Sequence, residues 1–223
     1  MQTNGIEWLE SSGQTLSAGR HTAPIWNPIE LADGPIIPIG VPIGSQPSRE
    51  FCVRRDCAFC MLNEIETTTW IASWRLATRE SLNFAVADAN HWHPAKVARA
   101  IDTLLANSLL IDLAARSGTG ANIIGELRPI PRASAIGWSP GPPPGFDIVP
   151  PAGGGVVRLS AAQYTLWSAW DGASSVQAAA QALAVGLGIR RELADQLSLQ
   201  LVVLALRYEL AFLDIEHGGG RIA

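Results

Sequence analysis

The stretch "VVRLSAAQYTLWSAWDG", residues 156–172, reads as a short strand, an N-cap at Ser160 and a helix that buries Tyr164, Leu166 or Trp167, and Trp170. Asp171 and Gly172 then stop that helix. The next segment, "SSVQAAAQALAVGLG" (174–188), predicts a second helix capped by Ser174 or Ser175. It places Val176, Ala179, Ala180 and Leu183 on one face, with Gly186 or Gly188 past its end. A third helix is expected from about Arg190 to Arg207, and "YELAFLDIE" (208–216) reads as a strand.

The same order of signals occurs upstream, which predicts a diverged internal repeat with a period of about 95 to 100 residues. "EFCVRR" (50–55) is matched with the strand of the later copy, and the helix after it carries Trp70 and Trp74, "IASW" resembling "WSAW". "ESLNFAVADAN" (80–90) predicts a second helix capped near Ser81. "HPAKVARAIDTLLANSLLIDL" (93–113) predicts a third, with Val97, Ile101, Leu104 and Leu105 at helical spacing. On this match Cys57 to Thr68 form an insertion of one or two extra helical turns that the later copy lacks.

Residues 22–48 and 128–155 are thick with Pro and Gly, which remove donors and disfavour helix, so both segments are expected to be extended. The organisation expected is an N-terminal arm over 1–50, a first unit over 51–116, a connecting arm over 117–155 and a second unit over 156–223. Strand, three helices and strand in about 70 residues is the order of a winged-helix unit. The fold expected is therefore α+β and mostly helical, with two winged-helix-like units and Pro/Gly-rich extended arms.

The second copy, "RLSAAQYTLWSAWDGASSVQAAAQALAVGLG" followed by "LALRYELAFLD", resembles the small peptide-chaperone domains of the pyrroloquinoline-quinone maturation chaperone family. The likeness covers residues 156–216 and, more weakly, 51–113. It implies a winged-helix domain that presents a peptide to another protein. The expected mode is addition of the peptide as a strand to a sheet edge beside the third helix.

Of the 223 residues 48% are hydrophobic and only 16% charged, below the usual share of about 25%, so uncharged surface or a covered face is expected. That favours a protein or peptide partner, or a second copy of the chain. The formal net charge of −4 gives no global attraction to phosphate. No basic and apolar leader opens the sequence, and the most apolar stretch is broken by Arg207 and Glu209, so a cytoplasmic protein with no membrane partner is expected.

All three cysteines lie in "EFCVRRDCAFC" (50–60), at C-x4-C-x2-C spacing. The fourth cysteine of a plant-type iron-sulfur cluster does not exist in the chain. Zinc would need Cys52, Cys57 and Cys60 with His91 or His93. Against that stands the reading of the three as small buried apolar groups, which is preferred, so no cofactor is expected. "GWSPG" (137–141) fits a nucleophile elbow, but the prolines after Ser139 forbid the helix that chemistry needs. "GTGANIIG" (118–125) lacks the glycine spacing of a dinucleotide loop.

Two further groups of residues bear on binding. His93, Lys96 and Arg99 at the start of the third helix, with Arg190 and Arg191 at the matching place, are the candidates for a DNA-binding regulator. "LSLQLVVLAL" (197–206) is apolar nearly all round, which demands burial on every side, with Leu199, Val202, Val203 and Leu206 as interface residues between the copies or between two chains. Trp8, Trp26, Trp92 and Trp138 lie outside the expected helical cores as candidate anchors. No catalytic residue is assigned, and the function expected is that of a non-catalytic binding or adaptor protein, with DNA-binding and zinc or iron-sulfur protein as alternatives.

Overall fold

Proline fixes φ near the extended region and strips a donor, so "PIIPIGVPIGS" (35–45) cannot be helical. It forms two strands, β1 (Ile36–Pro38) and β2 (Val41–Ser45). The computed structural model describes residues 35–45, 51–75, 77–113, 125–151 and 155–215. Trp8, Trp26 and most of the glycine-rich loop 118–125 lie outside the described residues.

β2 pairs antiparallel with β3 (Phe51–Arg55), and β3 with β4 (Ala58–Leu62), across a tight turn in which Asp56 has φ of 51°. Asn63 and Glu66 form a reciprocal capping box that starts α1 (Glu64–Ala72), and a 3-10 turn follows at Ser73–Arg75. Thr78 caps α2 (Arg79–Asn90), with Ser81 three residues inside it. Pro94, tolerated where the amide is unpaired in any case, opens α3 (Pro94–Ala106). β5 (Leu110–Asp112) then returns to β1, placing Ile111 opposite Ile37.

The remainder repeats this course. β6 (Leu127–Pro131) pairs with the last strand, β10 (Ala211–Ile215), while β7 (Ser134–Ser139), β8 (Gly145–Val149) and β9 (Val157–Leu159) form a three-stranded antiparallel sheet. Between them lie α4 (Ala161–Ser168), α5 (Val176–Leu187) and α6 (Arg191–Arg207). The chain is thus α+β, six helices with small antiparallel sheets among the described residues.

Particular positions make the repeat visible. Asn63 and Ser160 both head capping boxes, Thr78 and Ser175 both cap the middle helix, and His93 and Arg190 both stand at the start of the third. The bulge between Pro42 and Gly44 recurs between Ala135 and Gly137, with Phe51 and Phe146 at the same register on the central strands. α6 has 17 residues against 13 in α3, one added turn at 3.6 residues per turn.

Several expectations are corrected. "EFCVRR" is the counterpart of β8, not of Val157–Leu159, whose partner in the repeat is β4; no insertion exists at Cys57 to Thr68, which comprise the hairpin turn, β4 and the first turns of α1. Ala, Met and Leu favour helix, but cross-strand pairing with β3 overrides that weak preference. Likewise, Trp70 and Trp167 hold the same place when counted from the two capping boxes, not Trp74 and Trp170. The boundaries expected at 50/51 and 155/156 fall within the sheets, cutting β2 from β3 and β8 from β9. Where they are described, over 35–45 and 128–151, the Pro/Gly-rich segments are extended, as expected, but they supply strands to the units they precede; the remaining residues of these segments that fall at 22–34, 46–48 and 152–154 lie outside the described residues.

The first unit has a core of its own and also contributes to a second cluster shared with the other unit. Ile37, Ile39 and Ile111 from the first join Leu201, Val202, Leu206 and Leu213 from the second in one buried cluster. Gly40 N–H donates to the Leu213 carbonyl at 2.7 Å, so β10 is held on one flank by β6 and on the other by the first unit. Gly40 has φ of 104°, and a Cβ there would collide with Val53 Cγ1 and lie 2.9 Å from the Arg54 carbonyl oxygen, so only glycine fits.

Asp214, buried at the same junction, accepts the Asp56 amide at 2.8 and 3.0 Å and so pins the β3–β4 turn of the first unit. An aromatic chain, Phe51 to Trp70 to Trp74 to Phe212, crosses between the units with centroid spacings of 6.0, 5.7 and 5.5 Å. The Arg132 guanidinium caps it, 4.1 Å from the Phe212 centroid; burial pulls its pKa down, and Glu209 opposes that shift.

Candidate functional site

A sheet edge presents unpaired backbone donors and acceptors, and proteins ordinarily blunt it with proline, bulges, charge or shortness. The two three-stranded sheets have four edges, β2, β4, β7 and β9. β2 carries Pro42 and a bulge, β7 carries a bulge, and β9 is three residues long behind Pro150, Pro151 and Gly155. β4 has none of these. Its five residues, Ala58 to Leu62, pair in unbroken register with β3 and include no proline, glycine or charge.

β4 is also apolar and open. Phe59 is 66% exposed and Met61 43%, whereas Cys60 between them faces inward against the first unit's core. Strand alternation puts Met61 opposite Cys52, and Phe59 opposite Arg54, on the outer face of the sheet. The equivalent cross-strand pair in the second unit is Asp147 and Arg158, an ion pair at 2.7 Å. Arg158 also donates to Ser139 Oγ at 2.8 Å, and its hydrogen bond to Asp147 raises the guanidinium pKa further. The Cys52–Met61 pair is therefore apolar where its counterpart is an ion pair, and Arg54 is the charged residue opposite Phe59 on that face.

The end of β4 at Ala58 lies beside α3. Ala58 pairs with Arg55, whose guanidinium donates to the Asn107 carbonyl at the C-terminal end of that helix. The hairpin is thus held at its turn by Asp214 and at its flank by α3.

The cysteines do not converge. Cys52 is buried on the outer face of β3, Cys60 is half-buried on the inner face of β4, and Cys57 is exposed in the turn. His91 ends α2 and His93 begins α3, where its Nδ1 accepts the Ala95 amide at 3.2 Å. Among the described residues no three His, Cys, Asp or Glu groups lie together as a metal would require. The reading that put Cys57 and Cys60 on one helix is corrected, since Cys57 sits in a turn and Cys60 in a strand.

Lys96, Arg99, Arg190 and Arg191 are exposed, like His93, at the starts of α3 and α6. Arg191 pairs with Asp195 at 3.7 Å, and Arg99 Nε donates to the Ala95 carbonyl at 3.4 Å. Val202, Val203 and Leu206 are buried within the chain and Leu199 is half-buried; Val202 and Leu206 belong to the cluster that joins the two units. Ser139 ends β7 beside Arg158, with no helix after it. Trp138 is 55% exposed and Trp92 half-buried. No helix among the described residues is long and apolar enough to cross a membrane.

Phe59 and Met61 were not singled out by the sequence reading, because their stretch read as helix. The signal for them was "RRDCAF", two strand-compatible runs about a short turn containing an aspartate, which is a hairpin pattern. Comparison with protein-family models, with curated proteins and with solved structures gives no match for this chain.

Proposed function

We propose that the protein is a non-catalytic binding or adaptor protein built of tandem winged-helix-like units, and that it recognises a peptide or an extended segment of a partner protein. Three helices with a three-stranded antiparallel sheet in each unit support the winged-helix reading. The single observation that carries the function is β4: an unbroken, uncharged, apolar edge strand at the surface, whereas the other three edges of the two three-stranded sheets among the described residues are interrupted or short. A partner strand added there gains main-chain hydrogen bonds, and its alternate side chains lie beside Phe59 and Met61.

The test is selection of peptides from a random displayed library on the full chain, followed by binding of synthetic copies in solution. Selected peptides bind the native protein, lose about tenfold or more in affinity to Phe59→Lys or Met61→Lys, and are indifferent to Ile136→Lys in the second unit. Loss of binding with Ile136→Lys, or indifference to both β4 substitutions, overturns the reading. DNA binding is the competing reading, favoured by the exposed His93, Lys96, Arg99, Arg190 and Arg191. Titration with duplex DNA at rising salt separates the two, since phosphate contacts give affinity that falls steeply with salt.

A further inference from the structure

At the turn from α2 to α3 lies an open cavity of about 360 Å³, lined by Phe84, Ala87, Asp88, His91, Trp92 and Pro94. Phe84 is 72% exposed, on the same helical stripe as Glu80 and Asp88, which are four residues to either side of it. Trp92 also lines it, half-buried against the core of the first unit. No hydrogen bond or ion pair to the described residues engages the side chains of Asp88 or Glu80, and no lysine or arginine lines the cavity.

The second unit keeps Ala184 in place of Ala87 but lacks the other lining groups. Gln181, Val185, Gly188, Ile189 and Arg191 stand where the first has Phe84, Asp88, His91, Trp92 and Pro94. The contrast is sharpest at the helix end. Gly188 caps α5 with φ of 63°, the left-handed conformation glycine adopts without cost, whereas the first unit puts His91 there with φ of 54°. The fold alone asks for glycine at this position.

We infer that this cavity binds an organic cation, a guanidinium or alkylammonium group seated against the Phe84 and Trp92 rings with Asp88 as counter-ion. Aromatic faces attract cations, the more so where water is partly displaced, and a nearby carboxylate adds the complementary charge. The volume lies within the range of small-ligand sites, large enough for a quaternary ammonium or the end of an arginine side chain. The inference stands apart from strand addition at β4, because it uses different residues on different elements.

Titration of the full chain, followed by two-dimensional NMR of backbone and indole amides, tests it with tetramethylammonium, N-acetyl-arginine amide and N-acetyl-trimethyllysine amide, against neutral neopentyl alcohol. The cations produce saturable shifts centred on Phe84, His91 and the Trp92 indole, and the alcohol does not. Phe84→Ala and Asp88→Asn, both at exposed positions, each weaken cation binding by about threefold to tenfold, while Gln181→Ala in the second unit changes nothing. Tighter binding of the amino-acid amides identifies a partner's side chain as the source of the cation; tighter binding of tetramethylammonium identifies a free small molecule. Equal binding of alcohol and cation, affinity unchanged in both variants, or no saturable shift at the cavity overturns the inference.

Discussion

The two units share an order of strands and helices, a bulge at the same register and side-chain caps on their first two helices, yet they differ in what they bury and what they expose. The second has the more extensive interior: a 17-residue third helix and most of the large buried cluster. Its exposed sheet face carries the Asp147 and Arg158 pair, and its final β-strand before the helices is short. The first keeps an open apolar edge, an aromatic cavity and a histidine in a conformation suited to glycine. The difference lies in what each unit leaves at its surface: an ion pair in the second, an apolar strand edge and an aromatic cavity in the first.

The most damaging change is expected at Gly40, which packs against β3 of its own unit and bonds through its amide to Leu213 of the other. Gly40→Ala sets a Cβ against Val53 and the Arg54 carbonyl at a left-handed φ and is expected to cost about 2–5 kcal/mol, whereas Gly44→Ala, with open space around it, costs about 1–2 kcal/mol from backbone strain alone. Denaturant unfolding of the two variants side by side checks this, and equal losses would show that the contact at Gly40 is not what matters.

Next in size is the pair of equivalent tryptophans. Trp70 Nε1–H donates to the Ile39 carbonyl at 3.1 Å, while Trp167 Nε1 has no acceptor among the described residues. Trp70→Phe is expected to lose about 1–3 kcal/mol more than Trp167→Phe, because only the first orphans a buried partner. Thermal melts in which the second variant is the weaker one would refute the asymmetry.

The helix ends give a smaller effect of opposite sign. His91→Gly, which installs the residue used at Gly188, is expected to stabilise by about 0.5–1 kcal/mol, and Gly188→Ala to destabilise by about the same. Unchanged stability in His91→Gly would mean that the imidazole makes compensating contacts.

The smallest concerns pH. Asp171 accepts the Ser174 amide at 2.6 Å and the Ala173 amide at 2.9 Å, which hold its carboxyl below the ordinary aspartate range. A pKa lowered by folding gives stability that is present above the unfolded value and is lost as pH falls through the folded one. The matching loop of the first unit, Ser73–Thr78, has no carboxylate. Acid melts of Asp171→Asn are therefore expected to show a shallower loss than the native chain below about pH 4; identical profiles would remove Asp171 from the acid response.

Much of this architecture was legible beforehand. Ser160, Ser175 and Gly188 announce their helix ends because capping is a local exchange between a side chain and nearby amides. Val97, Ile101 and Leu104, all fully buried, declare the inward face of α3 by spacing alone. β4 was not legible, since "AFCML" has neither alternation nor a helix-breaking residue and becomes a strand through its pairing with β3. Nor was the cavity, whose lining gathers where the turn at His91 brings the Trp92 amide back to the Ala87 carbonyl at 2.9 Å.

The sequence by itself determined the recurring order of three helices and the extended character of the described Pro/Gly-rich residues, though not the register of the repeat, because these follow from periodicity, caps and fixed backbone angles among near neighbours. Only the tertiary structure decided that those segments are strands of the units, that the apolar α6 is buried inside one chain, and that β4 is left at an open edge. Each of these depends on which distant residues meet, as when Gly40 meets Leu213 and Asp56 meets Asp214. Such meetings are set by the packing of the whole and leave no mark on any short stretch.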